Sequence, residues 1–283
     1  MGKDMKRYRL GAMIKNGIIY LFLVIFAMAF LLPFFFLLTG SFKTSSELFA
    51  VPFHWLPKHF TLENYEQVFT KIPFFRYLTN TMIIVVLNIV GALISNSLIA
   101  YGFSRLRWPG RDKVFMIVIA TMILPYQVTL IPLYLMYTKI GWVGTFLPLT
   151  LPGFFGNAFF IFLMRQFLVG IPKEITESAR IDGANEFVIF LKLIMPISKP
   201  ALATVAIMSF MNSWKDFLGP LVFLGSDRLY TLSLAASMLR SNLNPNWELL
   251  LALGVVMVLP VMILFFVLQK YFIQGITMSG IKG

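Results

Sequence analysis

The sequence predicts an all-α, polytopic membrane protein with six transmembrane helices, and three observations predict it. The chain is 58% hydrophobic and only 13% charged, with a mean hydropathy of +0.81. Its apolar runs repeatedly exceed the roughly eighteen residues that mark a membrane-spanning helix. Prolines and small residues sit inside those runs, which is tolerated where neighbouring helices satisfy the freed backbone. An ordinary soluble domain is excluded. Cysteine is absent, which removes disulfides and thiolate metal sites.

In chain order, residues 1–16 form a basic arm carrying Lys3, Lys6, Arg7, Arg9 and Lys15. Residues 17–39 are the first span; this run of 23 is too long for a signal core and lacks an A-x-A cleavage site. A polar loop follows over 41–76, with Thr61 as N-cap of a short helix over 62–69. His54 and His59 share this loop and read as ordinary loop residues rather than a metal site. Span two covers 78–103, where Gly91, Ser95, Leu98 and Gly102 lie on one face with small residues that admits a close neighbour. Span three, 114–137, contains Pro125 and Pro132, and span four, 145–168, contains Pro148 and Pro152. These prolines predict kinks. Span five covers 201–224 and span six covers 249–272, kinked at Pro260, so the permeating body is 17–272 with a tail over 273–283.

Between spans four and five lies a charged island, 171–200, reading IPKEITESARIDGANEFVIFLKLIMPISKP. Pro172 suits the first position of a helix, and Glu174 and Glu177 place negative charge near its N-terminal end. Asp182-Gly183 reads as a stop, since glycine takes the left-handed conformation that closes a helix. A second helix is expected over 184–195, ended by Pro196.

The net charge of +12 is spread over short loops, which fits membrane topology and not nucleic acid. With six spans both termini share a side. That side carries sixteen Lys and Arg, including Arg105, Arg107, Arg111 and Lys113 in one loop; the opposite loops carry seven. The positive-inside rule therefore puts the termini and the 171–200 loop in the cytoplasm.

No phosphate-loop pattern, zinc-protease motif or nucleophile elbow occurs, so no catalytic residue and no metal site is assigned. Work must come from an ion gradient acting on buried charge, or from a partner. Buried charge is scarce: Lys215 and Asp216 in span five stand beside Asn212 and Trp214, and spans one to four contain no Asp or Glu. A charge near the bilayer centre faces a cavity or a partner, and adjacent helical residues point about 100° apart, so these two do not pair.

The loop then becomes recognisable. Glu177-Ser178-Ala179, Gly183, Leu193, Met195 and Pro196 resemble the E-A-A, three residues, G, nine residues, I-x-L-P signature of membrane subunits of ATP-binding-cassette (ABC) importers. Ser178, Leu193 and Met195 depart from it, small for small and apolar for apolar. The form ESARIDGA with Pro196 and Pro200 after it is similar to the carbohydrate-type importers, as are NSWKDFLGPL at 212–221 and the tail YFIQGITMSGIKG at 271–283, which resembles the maltose-type permease. The resemblance implies the type I importer permease fold and a coupling helix seated in an ATPase cleft, with Glu177, Ser178, Ala179, Asp182, Gly183, Ala184 and Pro196 as coupling residues. It further implies a second permease subunit, two ATPase subunits that hold ATP and magnesium while this chain binds no cofactor, and an extracellular solute-binding protein. The setting is then a bacterial or archaeal cytoplasmic membrane. Gln274 and Gly275 would lie in a tail at the ATPase interface. Tyr126, Gln127, Asn212, Trp214 and Asp216 are the candidates to line the solute path, because sugars are held by aromatic faces and by amide or carboxylate hydrogen bonds. Sugar or oligosaccharide is the expected cargo; glycerol 3-phosphate or a related phosphodiester, and an ion-coupled secondary transporter, are the alternatives.

Overall fold

The computed structural model describes residues 2–241 and 245–280, with side chains for 13, 15–240 and 245–269. Among the described residues the secondary structure is helical, without strands. Four helices are long and apolar enough to cross a membrane, and two further bent pairs bring the number to six if each pair is one span. The chain divides into two compact units.

The first unit contains the chain up to Ile72 together with Leu239–Val258. Helix α1, Gly2–Gly40, runs through both the predicted basic arm and the first span, so arm and span are one helix. Its apolar part is exposed on all sides over residues 15–36, as expected of a surface solvated by lipid, and becomes buried only at Thr39 and Gly40. Helices α2, Ser45–Leu48, and α3, Glu63–Lys71, follow. α3 begins one residue later than predicted, with Leu62 and not Thr61 at its N-cap; the Thr61 Oγ1 still accepts from the Glu63 N–H at 3.1 Å. The fully buried Lys43 donates to the His54 carbonyl and lies 4.8 Å over the Phe53 ring. The Asn64 side chain donates to the carbonyls of Ser41 and Lys43. Near the other end of the unit, Gly254 faces Leu37 closely enough that a Cβ would stand 3.0 Å from it.

The second unit, Pro73–Met238 with Leu259–Gly283, is built on α4, Phe74–Ser104. This helix is about 46 Å long at 1.5 Å per residue. α5, Arg111–Ala120, and α6, Tyr126–Lys139, form the third span and bend by 97° where Pro125 interrupts them. That is a break, beyond the kink expected. The fourth span is irregular too: α7, Leu147–Thr150, a 3-10 stretch Leu151–Phe155, and α8, Ala158–Val169. Next come α9, Glu174–Ile181, and α10, Glu186–Ile197, with α11, Lys199–Trp214, bent 79° from α10. α11 stops at Trp214 where the sequence predicts helix to 224, and α12, Leu218–Phe223, resumes after the break. α13, Leu232–Ser241, and α14, Trp247–Gly280, complete the chain, α14 keeping Pro260 within it. The predicted tail thus starts as a continuation of the last helix.

Broken spans leave backbone groups that lipid cannot satisfy, and α4 supplies the missing partners. Asn88 donates to the Leu149 carbonyl at 2.7 Å, Ser95 to Gly153 at 3.0 Å, and the Asn96 side-chain carbonyl accepts the Asn157 N–H at 2.7 Å. Asn157 in turn caps α8. Gly91 admits this neighbour: a Cβ there would stand 2.8 Å from Phe154 and 3.0 Å from the Gly153 backbone. The predicted small-residue face is therefore correct at Gly91 and Ser95. It ends there, because Leu98 is exposed and a Cβ on Gly102 would meet nothing within 4 Å.

Candidate functional site: the helix at 174–181 and its attachment

α9 is a short amphipathic helix. Thr176 and Ala179 are buried, while Glu174, Glu177, Ser178, Arg180 and Asp182 are exposed. Ile181, an apolar residue, is 86% exposed. The helix starts at Glu174 with Lys173 as N-cap, so Pro172 precedes the first turn rather than opening it.

Its end is a Schellman closure. The Ala184 N–H donates to the Ala179 carbonyl at 3.0 Å and the Gly183 N–H to the Arg180 carbonyl at 3.1 Å. Gly183 has φ +82°, a conformation that costs an L-residue about 1–2 kcal/mol. Asn185 then caps α10 by accepting from the Val188 N–H at 2.9 Å. α10 begins at Glu186 rather than at 184 and runs through Pro196 to Ile197. Proline offers no N–H to the preceding turn, and the helix widens to π geometry over Ile189–Ile194 just before it. The Ser198 hydroxyl closes the end on the Ile194 carbonyl at 2.7 Å.

Ala179 packs in a buried cluster with Ile189, Phe190, Ile194 and Leu168. Its small side chain therefore lets α9 settle on this chain's own core, and does not face outward as the expected cleft contact. Glu177, Ser178 and Asp182 do face outward.

Two polar ties join α9 and its flanks to α4. Glu186 accepts from Arg180 at 2.6 Å and from the Tyr101 hydroxyl at 2.5 Å, so one carboxylate bridges the glycine elbow and reaches α4. The hydrogen bond to Glu186 raises the Arg180 pKa above its usual value. Arg105, just beyond α4 and 8% exposed, donates to the carbonyls of Leu168 at 2.5 Å, Ile171 at 2.7 Å and Pro172 at 3.5 Å. Two of these bonds fall at or just past the C-terminus of α8, where a cation is favoured by the unpaired carbonyls. Burial pulls the Arg105 pKa down. Neither tie is announced in the sequence, where Arg105 counts only as an inside charge; a basic residue at the end of a span, before a second helix end, was the available signal.

The predicted solute-path residues fall into two groups. Trp214 is 4% exposed and stacks on Phe210 at 5.5 Å, so it is a core residue and not an exposed sugar platform. Tyr126, Gln127 and Asn212 are exposed. Asp216 lies in the break after α11, not inside a helix: its Oδ1 accepts from the Gly219 N–H at 3.1 Å, and its backbone carbonyl accepts from the Ser233 hydroxyl at 2.5 Å. Gly219 makes room for this carboxylate, since a Cβ would stand 2.5 Å from Oδ2. Lys215 is the exposed C-cap of α11. Gln274 and Gly275 belong to α14, but their side chains lie outside the described residues.

Residues 97–278 match the family described as binding-protein-dependent transport system inner membrane component. The chain belongs to that family. This permease is 34% identical to the arabinooligosaccharides transport system permease protein AraQ of Bacillus subtilis, over 93% of this chain and 94% of that protein. It is 35% identical to the alpha-glucoside transport system permease protein AglG of Rhizobium meliloti, over 80% of this chain and 62% of that one. Among solved structures, a bacterial ABC transporter involved in import of the acidic polysaccharide alginate superposes with a TM-score of 0.82. That match has 27% identity and covers 92% of the permease and 96% of that chain. The permease is thus the inner-membrane component of an ABC importer with the matching helical fold.

Proposed function

We propose that this permease pairs with a second permease subunit to form the pathway for a sugar or oligosaccharide. An extracellular binding protein delivers the solute, and two docked ATPase subunits, which hold ATP and magnesium, drive the cycle. The relatives named for arabinooligosaccharides, alpha-glucosides and alginate support the solute class. Both termini and α9 face the cytoplasm of a bacterial or archaeal cell, in keeping with the excess of Lys and Arg on that side.

One observation carries the coupling role. α9 exposes Glu177, Ser178, Ile181 and Asp182 while its inner face and its Arg180–Glu186–Tyr101 tie hold it to α4. A docked ATPase that moves α9 therefore moves α4 and the spans α4 supports. In this scheme Gly183 and Ala184 form the elbow, Pro196 lies in the helix that follows it, and Gln274 and Gly275 sit in a tail reaching the ATPase interface. Tyr126, Gln127, Asn212 and Asp216 are the path-lining residues.

The test is the Gly183→Asp variant, assayed in proteoliposomes with the partner subunits and binding protein. Solute uptake and binding-protein-stimulated ATP hydrolysis are expected to fall together, with insertion intact. Normal uptake by Gly183→Asp would overturn the coupling role. Gradient-driven uptake by this chain alone, with no ATPase present, would overturn the importer scheme altogether.

A further inference from the structure

Beside the buried face of α9 is a recess of about 430 Å³, walled by the loop after α4 and by residues of α9 and its start. Five cationic side chains line it (Arg105, Arg107, Arg111, Lys173 and Arg180), against two carboxylates, Glu177 and Glu186. Some of this charge is already matched. Arg180 is paired with Glu186, Arg111 with Asp112 at 3.1 Å, and the Arg105 Nη atoms with backbone carbonyls. What is left over is specific. Arg107 and Lys173 have no side-chain partner among the described residues, and the Arg105 Nε is buried without one. Arg107 and Lys173 are exposed on the recess wall, so an acceptor of negative charge complements the charge left over there.

Position favours a lipid as its source. The recess opens immediately past Ser104, where the apolar helix α4 ends. A second recess of about 470 Å³ shares Arg107, Arg111 and Lys173 and adds the exposed Trp108. Tryptophan beside arginine and lysine at the end of a span is the composition of a headgroup layer, and basic pockets on the cytoplasmic side take anionic headgroups. Phosphate oxygens suit the planar arginine forks. We propose that this recess binds the phosphodiester headgroup of an anionic phospholipid, with Arg107 and Lys173 as the free cations. Lipid bound there would bear on the same loop that anchors α9, so lipid composition would tune the permease at its cytoplasmic face. The lipid assignment rests on the cytoplasmic placement proposed above and not on α9 docking an ATPase.

Native mass spectrometry of the full-length chain tests it, using phosphatidylglycerol and phosphatidylcholine added to a delipidating detergent. Phosphatidylglycerol should be retained in preference, and the Arg107→Gln/Lys173→Gln double variant should weaken that retention about 30-fold, given roughly 1 kcal/mol for each of the two basic residues. The Glu177→Gln variant removes a carboxylate from the wall and should strengthen retention, which guards against misreading a folding defect. Equal retention of both lipids, or an unchanged preference in the double variant, overturns the proposal. Displacement of phosphatidylglycerol by millimolar inorganic phosphate would reassign the site to a soluble phosphate and overturn the lipid assignment; no displacement is expected. Loss of the preference on adding the ATPase partners would mean that a protein acid fills the recess, which also overturns it.

Discussion

The middle of α4 and its cytoplasmic end perform the same task with different chemistry. In the middle, Asn88, Ser95 and Asn96 bond backbone groups released by the proline-broken fourth span. At the end, Arg105 bonds the carbonyls of Leu168, Ile171 and Pro172, and Tyr101 reaches the Arg180–Glu186 pair. Neutral amides and hydroxyls serve where charge would be expensive in hydrocarbon, and ions serve where water and headgroups are near. A single helix is thereby fastened to the irregular fourth span at one level and to the segment around α9 at another. The difference teaches that α4 links these two regions, with the firmest fastening at the end nearest α9.

Substitutions at the two levels of α4 test that contrast. The largest effect is expected from Arg105→Ala, which leaves three carbonyls without their cation and should destabilise the chain by about 3 kcal/mol in mixed-micelle denaturation. Asn96→Leu should come next. It strips the Asn157 N–H of its partner and should cost about 2 kcal/mol in the same assay. Tyr101→Phe removes one hydroxyl from Glu186 and should cost about 1 kcal/mol, while weakening ATPase-coupled uptake more than folding. Arg180→Gln should be smallest in stability, below about 0.5 kcal/mol, because its side chain is 37% and that of Glu186 43% exposed. If Arg105→Ala cost less than Asn96→Leu, the end of α4 would not be the firmer fastening.

Much of this was legible in the sequence. The helical class, the six-span arrangement and the glycine stop at Gly183 follow from apolar runs and from backbone chemistry that acts within a few residues. What was not legible depends on contacts across long sequence separations. Trp214 looks like a binding aromatic until Phe210 is found stacked on it in the core. Ala179 looks like a docking surface until its partners prove to be Ile189 and Phe190. The breaks at Pro125 and after Trp214 were underestimated because proline and polar residues within a span read as kinks, while their depth depends on partners such as Ser233. Arg105 and Tyr101 were missed because charge counting and aromatic composition carry no information on aim.

In the proposed cycle α9 presents Ile181 and its polar neighbours to an ATPase and transmits its motion. The chain contains no cysteine, so Ile181→Cys introduces a unique thiol at a site 86% exposed. In membranes holding the complete importer, a bifunctional thiol reagent should join this position to a cysteine placed in the ATPase cleft. The joined complex should lose solute uptake and recover it when the linkage is cleaved. Full uptake with the linkage in place, or no linkage in an importer that transports normally, would show that α9 does not transmit the ATPase's motion.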